Sequence, residues 1–366
     1  MEPSADYSPP SASASPCPGP TPDYKDRSTG LIVFGIIEIL GGFLCALGIP
    51  FMLLSLALGR RAGGAMPVGN IVMIVVTYAA LAAILITLGI GSTMAKRWAR
   101  ALNLILSWIW VILGIMVTVI IIAVMPSAFL TAMRTAAQRD PNAGSAPPGL
   151  MAVILTFMIV VMAIFLVVMP LVFLLFYRSR NVAETVRHRD PVERWTDRVP
   201  LPVLAFSLMA ACGAAYYLLV GVTTPLFPFF GRYLTGNPGR LAFALFAAVD
   251  VYIAISFFRL KVSGWWVAVI SAVFRVVSAV ITFRRADLME AYARMGWSHK
   301  QLEAMQKNPM LRSGNIMWWS LLAMVAYIGF LVWLKRYFHA APPPQYTGLS
   351  ESPPESMLPP ASAGPV

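Results

Sequence analysis

The chain has 366 residues, 58% of them hydrophobic and 12% charged, with a formal net charge of +12. Soluble domains carry ~25% charged residues, whereas here apolar runs of about 20 residues recur from Leu31 to Leu334, which excludes a water-soluble globular protein. Lys and Arg sit in short segments beside those runs, the pattern that orients a membrane protein, so the lipid bilayer is the expected partner and no nucleic acid is expected.

In chain order, residues 1–27 are rich in Pro, Ser and Ala and hold too little aliphatic surface to offset the entropy of ordering, so they read as a disordered tail. They lack a basic n-region and an early apolar h-region, so no cleavable signal is expected and the first span directs insertion. Eight spans follow, at 31–49, 70–92, 101–125, 150–177, 201–221, 241–258, 264–283 and 316–334. Each is near the ~20 residues that carry a helix across ~30 Å of hydrocarbon. Continuous rather than alternating hydrophobicity makes them helices. Pro50 is expected to end or kink the first span, leaving FMLLSLALG as an interfacial extension. Gly41, Gly42 and Gly48 in span 1 and Ala79 to Ala83 in span 2 allow close helix contacts, within one copy or between two. Residues 339–366 read as a second disordered tail.

In the first half of the chain, 11 Lys and Arg fall in the N-terminal tail and even-numbered loops against 4 in the odd-numbered loops. The N-terminus is therefore expected in the cytoplasm, and an even number of spans places the C-terminus there too. Loop 7 dissents with six positive residues, but these alternate with Asp287, Glu290 and Glu303 in what reads as a helical hairpin. There Asp287 with Glu290 and Ser298 with Gln301 fit capping boxes, Gly296 fits a helix C-cap and Pro309 a stop. Loop 3, SAFLTAMRTAAQRDP, looks like its first-half counterpart. Both helical loops read as surface-lying connectors or, more sharply, as lids.

Sliding the chain by 168 places Trp98 on Trp266, Asn103 on Ser271, Ser107 on Arg275 and Gly114 on Thr282, and a slide of 167 places Cys45 on Cys212. The loop plan repeats in the same order. The expected fold is an all-α polytopic helical membrane protein of about eight transmembrane helices in two parallel four-helix repeats, 28–177 and 201–338, joined by a cytoplasmic linker at 178–200.

Asp250 and Arg275 lie near the middle of spans 6 and 7, whose short connection makes them antiparallel neighbours. Their depths, roughly 12 and 16 Å at ~1.5 Å per residue, differ by about one turn, within reach of an Arg. A lone charge at midplane costs ~2.5–3.5 kcal/mol on insertion scales, so the two are expected to face each other or an aqueous cavity. Ser271, Arg275, Ser278 and Thr282 share a helix face, and Asn103, Ser107, Trp110 and Gly114 form an uncharged counterpart. Glu38 is the third intramembrane charge, facing a proton path, the interface or a neighbouring hydroxyl. Together Asp250, Arg275, Ser271, Ser278, Thr282 and Glu38 are the candidate polar site, a substrate or ion site between the halves or a structural pair.

The linker RSRNVAETVRHRDPVERWTDRVPLP can bind anionic lipid headgroups or simply set topology. Trp265, Trp266, Trp318 and Trp319 begin spans and read as interfacial belt residues. His188, His299 and His339 are isolated, no HExxH, GxSxG or Walker A pattern occurs, and Cys17, Cys45 and Cys212 are too dispersed for a metal site. No enzyme, cofactor or metal is expected. The segment DPVERWTDRVPLPVLAFSL from Asp190, with KRWARALNLILSW and MGWSHKQLEAM, resembles multi-pass bacterial inner-membrane proteins of no established activity. That resemblance implies a bacterial inner membrane and carries over no functional residue. Two function classes follow: a transporter or channel, and a non-transporting scaffold or envelope-maintenance protein.

Overall fold

The computed structural model describes residues 24–61, 68–139, 148–294, 297, 299, 302–303 and 313–338. Long helices dominate, because in hydrocarbon only a helix satisfies its backbone groups within one segment. They are α1 (Ser28–Arg61), α2 (Val68–Thr93), α3 (Arg97–Arg139), α4 (Pro148–Ala163), α5 (Met169–Arg178), the short α6 (Arg180–Arg189), α7 (Leu201–Thr223), α8 (Gly236–Phe258), α9 (Val262–Arg285), α10 (Leu288–Arg294) and α11 (Ser313–Lys335). Among the described residues, seven helical stretches are long and apolar enough to cross a membrane, from Ser28–Leu58 to Val262–Arg285. The protein is a polytopic helical membrane protein, and its outward faces are lined with residues such as Leu44, Phe51 and Phe157 that meet lipid.

Two boundaries differ from expectation. Pro50 neither ends α1 nor sets apart an interfacial segment: the helix runs 34 residues through it, as membrane helices tolerate a proline where the freed backbone carbonyl can be re-satisfied locally. The helix expected in loop 3 is the continuation of α3, which runs 43 residues to Arg139. In loop 7, Asp287 caps α10 by accepting from the Met289 N–H at 2.8 Å. The second capping box at Ser298 and Gln301, Gly296, Pro309, most of both tails and the side chains of Trp318 and Trp319 lie outside the described residues.

Span 4 is interrupted. Pro170 has no N–H for the Leu166 carbonyl, and the chain widens into a π turn, Ile164–Val168, closed by the Met169 N–H on Ile164 O. Gly114 of α3 packs there so closely that a Cβ would overlap the Leu166 carbonyl.

The tightest pairs are α1 with α2 and α7 with α8; α3 packs on α5 and α9 on α11. In the first pair, Cβ atoms at Gly35 and Gly89 would each fall within 2.7 Å of the other's carbonyl, and one at Gly42 would lie 2.9 Å from Ala82 O. These small residues serve contacts within one copy, while Gly48 meets nothing within 4 Å. α2 and α3 contact α7 and join the halves, with Gly69 lying directly against the Thr223 backbone.

The short connections α2–α3 and α8–α9 share one geometry. Ala95 and Leu260 are left-handed, with φ of 50° and 53°. Ala95 N bonds Ser92 O and Lys96 N bonds Gly91 O, while Leu260 N bonds Phe257 O and Lys261 N bonds Ser256 O. Each is a Schellman cap built without glycine, at a backbone cost of about 1–2 kcal/mol.

Between α7 and α8 the chain forms an antiparallel hairpin, β1 (Leu226–Phe229) and β2 (Arg232–Thr235). Phe230 and Gly231 both have positive φ, as a type I′ turn requires. At the other end of the bundle, Arg27 N–H donates to Thr185 of α6 at 3.0 Å, and Val199, Phe257 and Leu334 share a buried cluster with Phe338 against it. The start of α1, the linker and the end of α11 thus lie at one end.

Candidate functional site

Asp250 and Arg275 meet. The turn at Leu260 returns α9 antiparallel to α8, and Arg275 Nη2 pairs with Asp250 Oδ1 while Nη1 lies 3.4 Å from Oδ2. Nη1 also donates to the Tyr217 hydroxyl of α7 at 3.2 Å. The guanidinium carbon sits 5.1 Å from the Tyr217 ring centre and 5.0 Å from that of Phe246, a stacking that suits a weakly hydrated planar cation. Gly213 faces the carboxylate; a Cβ there would lie 3.3 Å from Oδ2. Charge is balanced against charge within α7, α8 and α9, walled by aromatic rings.

The serine and threonine stripe of α9 is buried on the same face, but its hydroxyls are committed. Ser271 bonds its own helix, donating to Ala268 O at 3.1 Å. Ser278 donates to Pro228 O at 2.8 Å and accepts from Phe230 N–H at 3.1 Å. Thr282 accepts from Gly231 N–H at 3.1 Å and donates to Ser278 O at 2.7 Å. Ser278 and Thr282 therefore hold the hairpin against the bundle. The hairpin in turn sets Phe227 on Phe246, 5.1 Å between ring centres, and Phe230 on Phe274 at 5.3 Å.

Glu38 belongs to a different cluster, and among the described residues no hydrogen bond or ion pair joins it to Asp250 or Arg275. It is 5% exposed and ten residues into α1, about 15 Å along the axis. The Tyr177 hydroxyl of α5 donates to Oε1 at 2.9 Å and the Asn103 amide of α3 donates to Oε2 at 3.0 Å. Tyr177 Oη also lies 2.6 Å from Ser92 Oγ of α2, which is 3.2 Å from the Leu31 carbonyl oxygen. No described Lys, Arg or His bonds the carboxylate. Beside it lies a cavity of about 60 Å³ walled by Asn103, Ser107, Trp110, Pro170 and Phe173. The face of α3 read as uncharged thus receives a charge after all, from α1.

The linker is folded against the bundle rather than simply solvated. Val182, Thr185 and Val186 of α6 are buried. Asp190 bonds Arg194 through both oxygens, at 2.9 and 3.3 Å, and accepts from Arg97 N–H at 3.2 Å. Those bonds, Arg194 foremost, hold its carboxyl below the usual carboxylate range against the opposing effect of burial. Arg97 also pairs with Asp197 at 3.3 Å, tying the linker to the start of α3. Trp265, expected in the interfacial belt, is buried and donates to Leu331 O at 2.7 Å; its neighbour Trp266 is exposed.

Sequence reasoning passed over Tyr177, Ser92, Tyr217 and the hairpin. Tyr177 and Ser92 each stand at the end of an apolar span, where hydroxyl residues are unremarkable. The alternation LFPF and RYLT about Phe-Gly was the available hairpin signal. No protein-family profile, curated protein or solved structure matches this chain.

Proposed function

We propose that this protein is an eight-span inner-membrane transporter or channel, without enzymatic activity, that handles a small solute or ion at the Glu38 cavity. The observation carrying this reading is a carboxylate buried inside the bundle, toward the end bearing α6, that no described cation balances, beside open space. An unpaired intramembrane charge is costly and is commonly retained for a path or binding site. Two parallel repeats are supported by the matched turns at Ala95 and Leu260 and by the matched pairing of α1 with α2 and α7 with α8. A cytoplasmic location for both termini is supported by the excess of Lys and Arg at the end bearing α6. The exposed Arg178, Arg180, Arg187 and Arg189 there suit anionic headgroups.

The sealed second half favours one other reading, a non-transporting scaffold or envelope-maintenance protein. Single-cysteine labelling separates them. In a background lacking Cys17, Cys45 and Cys212, Ser107→Cys and Gly41→Cys should react with a small membrane-impermeant methanethiosulfonate, and the lipid-facing control Val273→Cys should not. Protection of both cavity positions in folded variants means a closed interior and a scaffold.

A further inference from the structure

We infer that the exchangeable ligand of the Glu38 cavity is a proton, bound by Glu38 and accommodated by reversal of a hydrogen-bonded chain through Tyr177 and Ser92. The inference rests on the preceding reading only in taking the cavity as the access route.

The cavity walls narrow the choice of ligand. A hard metal cation takes about six or more oxygen ligands, and Glu38, Asn103 and Ser107 do not complete such a shell. A drug-sized organic cation needs a pocket of roughly 300 Å³ or more, and this one measures about 60 Å³, room for a few waters. A proton delivered by water fits.

The hydrogen-bond directions are the stronger argument. With Glu38 ionised, Ser92 donates to Tyr177, Tyr177 donates to Oε1, and Asn103 donates to Oε2. With the proton on Oε1, the acid donates to Tyr177, Tyr177 to Ser92, and Ser92 to the Leu31 carbonyl, while Asn103 still donates to Oε2. Only hydroxyl hydrogens turn, and no heavy atom moves. Every hydroxyl proton has an acceptor in both states, so neither state leaves a buried donor unsatisfied. A carboxylate fixed in one state has no use for the second arrangement, whose last bond is supplied by a Leu31 carbonyl reached from another helix. The groups bonded to the carboxylate and to its chain are Asn103 of α3, Tyr177 of α5 and Ser92 of α2, and none is a described cation.

Infrared difference spectroscopy of the full chain in lipid vesicles tests this. A protonated-carboxyl band that appears as pH falls and is absent from Glu38→Gln identifies the proton on Glu38. Ser92→Ala strands the Tyr177 hydroxyl proton only in the protonated state, so this variant should bind the proton on the order of tenfold more weakly. Tyr177→Phe removes a charge-assisted bond to the ionised form, roughly twice as strong as the neutral bond it accepts from the acid, and the acid proton can turn to a water in the adjoining cavity, so this variant should bind the proton more tightly. Opposite shifts from two adjacent hydroxyls are the signature of the chain, and a merely structural role does not produce them. No titrating band that Glu38→Gln removes overturns the assignment. An unshifted titration in Ser92→Ala overturns the chain. The two readings fail separately: labelling at position 107 without a titrating band retains the cavity and removes the proton, and a titrating band with position 107 protected retains the proton site and removes transport.

Discussion

Neutralising Asp250 probes whether the second half is held by its ion pair. Asp250→Asn keeps the side-chain shape and one acceptor oxygen but removes the negative charge, leaving the Arg275 guanidinium with neutral bonds to that amide oxygen and to the Tyr217 hydroxyl, and with the Tyr217 and Phe246 rings. Removing one partner of a buried pair costs about 3–5 kcal/mol, and cation–π contacts of desolvated groups retain about 2 kcal/mol at most. A loss of about 2–3 kcal/mol is expected. Arg275→Gln strands a carboxylate with no ring to fall back on and should cost about 3–4 kcal/mol. The double variant carries no unpaired charge, so its cost should fall short of the sum by about 2–3 kcal/mol. The assay is reversible unfolding in mixed micelles, with all four proteins compared at one lipid composition. Additive single costs, or an Asp250→Asn loss below about 0.5 kcal/mol, would refute a sealed structural pair and point to a hydrated guanidinium.

Ser278→Ala removes the acceptor of Phe230 N–H and the donor to Pro228 O; hydrogen exchange at Phe230 and Gly231 should rise by roughly tenfold, as expected for about 1–1.5 kcal/mol of lost anchoring. Gly114→Val drives a side chain into the Leu166 carbonyl and should cost about 1–3 kcal/mol, read as a lower unfolding midpoint. Because Asp190 is held below its unfolded value of ~3.9, its stabilisation is complete above that value and is lost as pH falls through the folded one. The stability gap between the wild type and Asp190→Asn should therefore be largest near neutral pH and close under acid, as followed by protease resistance of the linker.

The residues themselves specified most of the long helices, because a helix in lipid needs only continuous apolar length, and they specified that Asp250 and Arg275 meet, because a tight turn and two mid-span charges leave one economical arrangement. Asp287 likewise announced its cap by spacing alone. What they could not specify was which polar groups are consumed by packing. Ser278 and Thr282 looked like the wall of a site until the hairpin folded down on them, and Glu38 was grouped with Asp250 and Arg275 until Asn103, Tyr177 and Ser92, from three other helices, placed it in a cluster of its own. Helical periodicity places side chains on a face of their own helix, but hydrogen-bond partners drawn from α2, α3 and α5 depend on how those helices pack, and that is set by contacts such as Gly114 against the π turn at Leu166. Membrane character is a sum over residues and survives any arrangement of the helices, whereas a site is a coincidence of a few groups within 3 Å, which only the packed bundle decides.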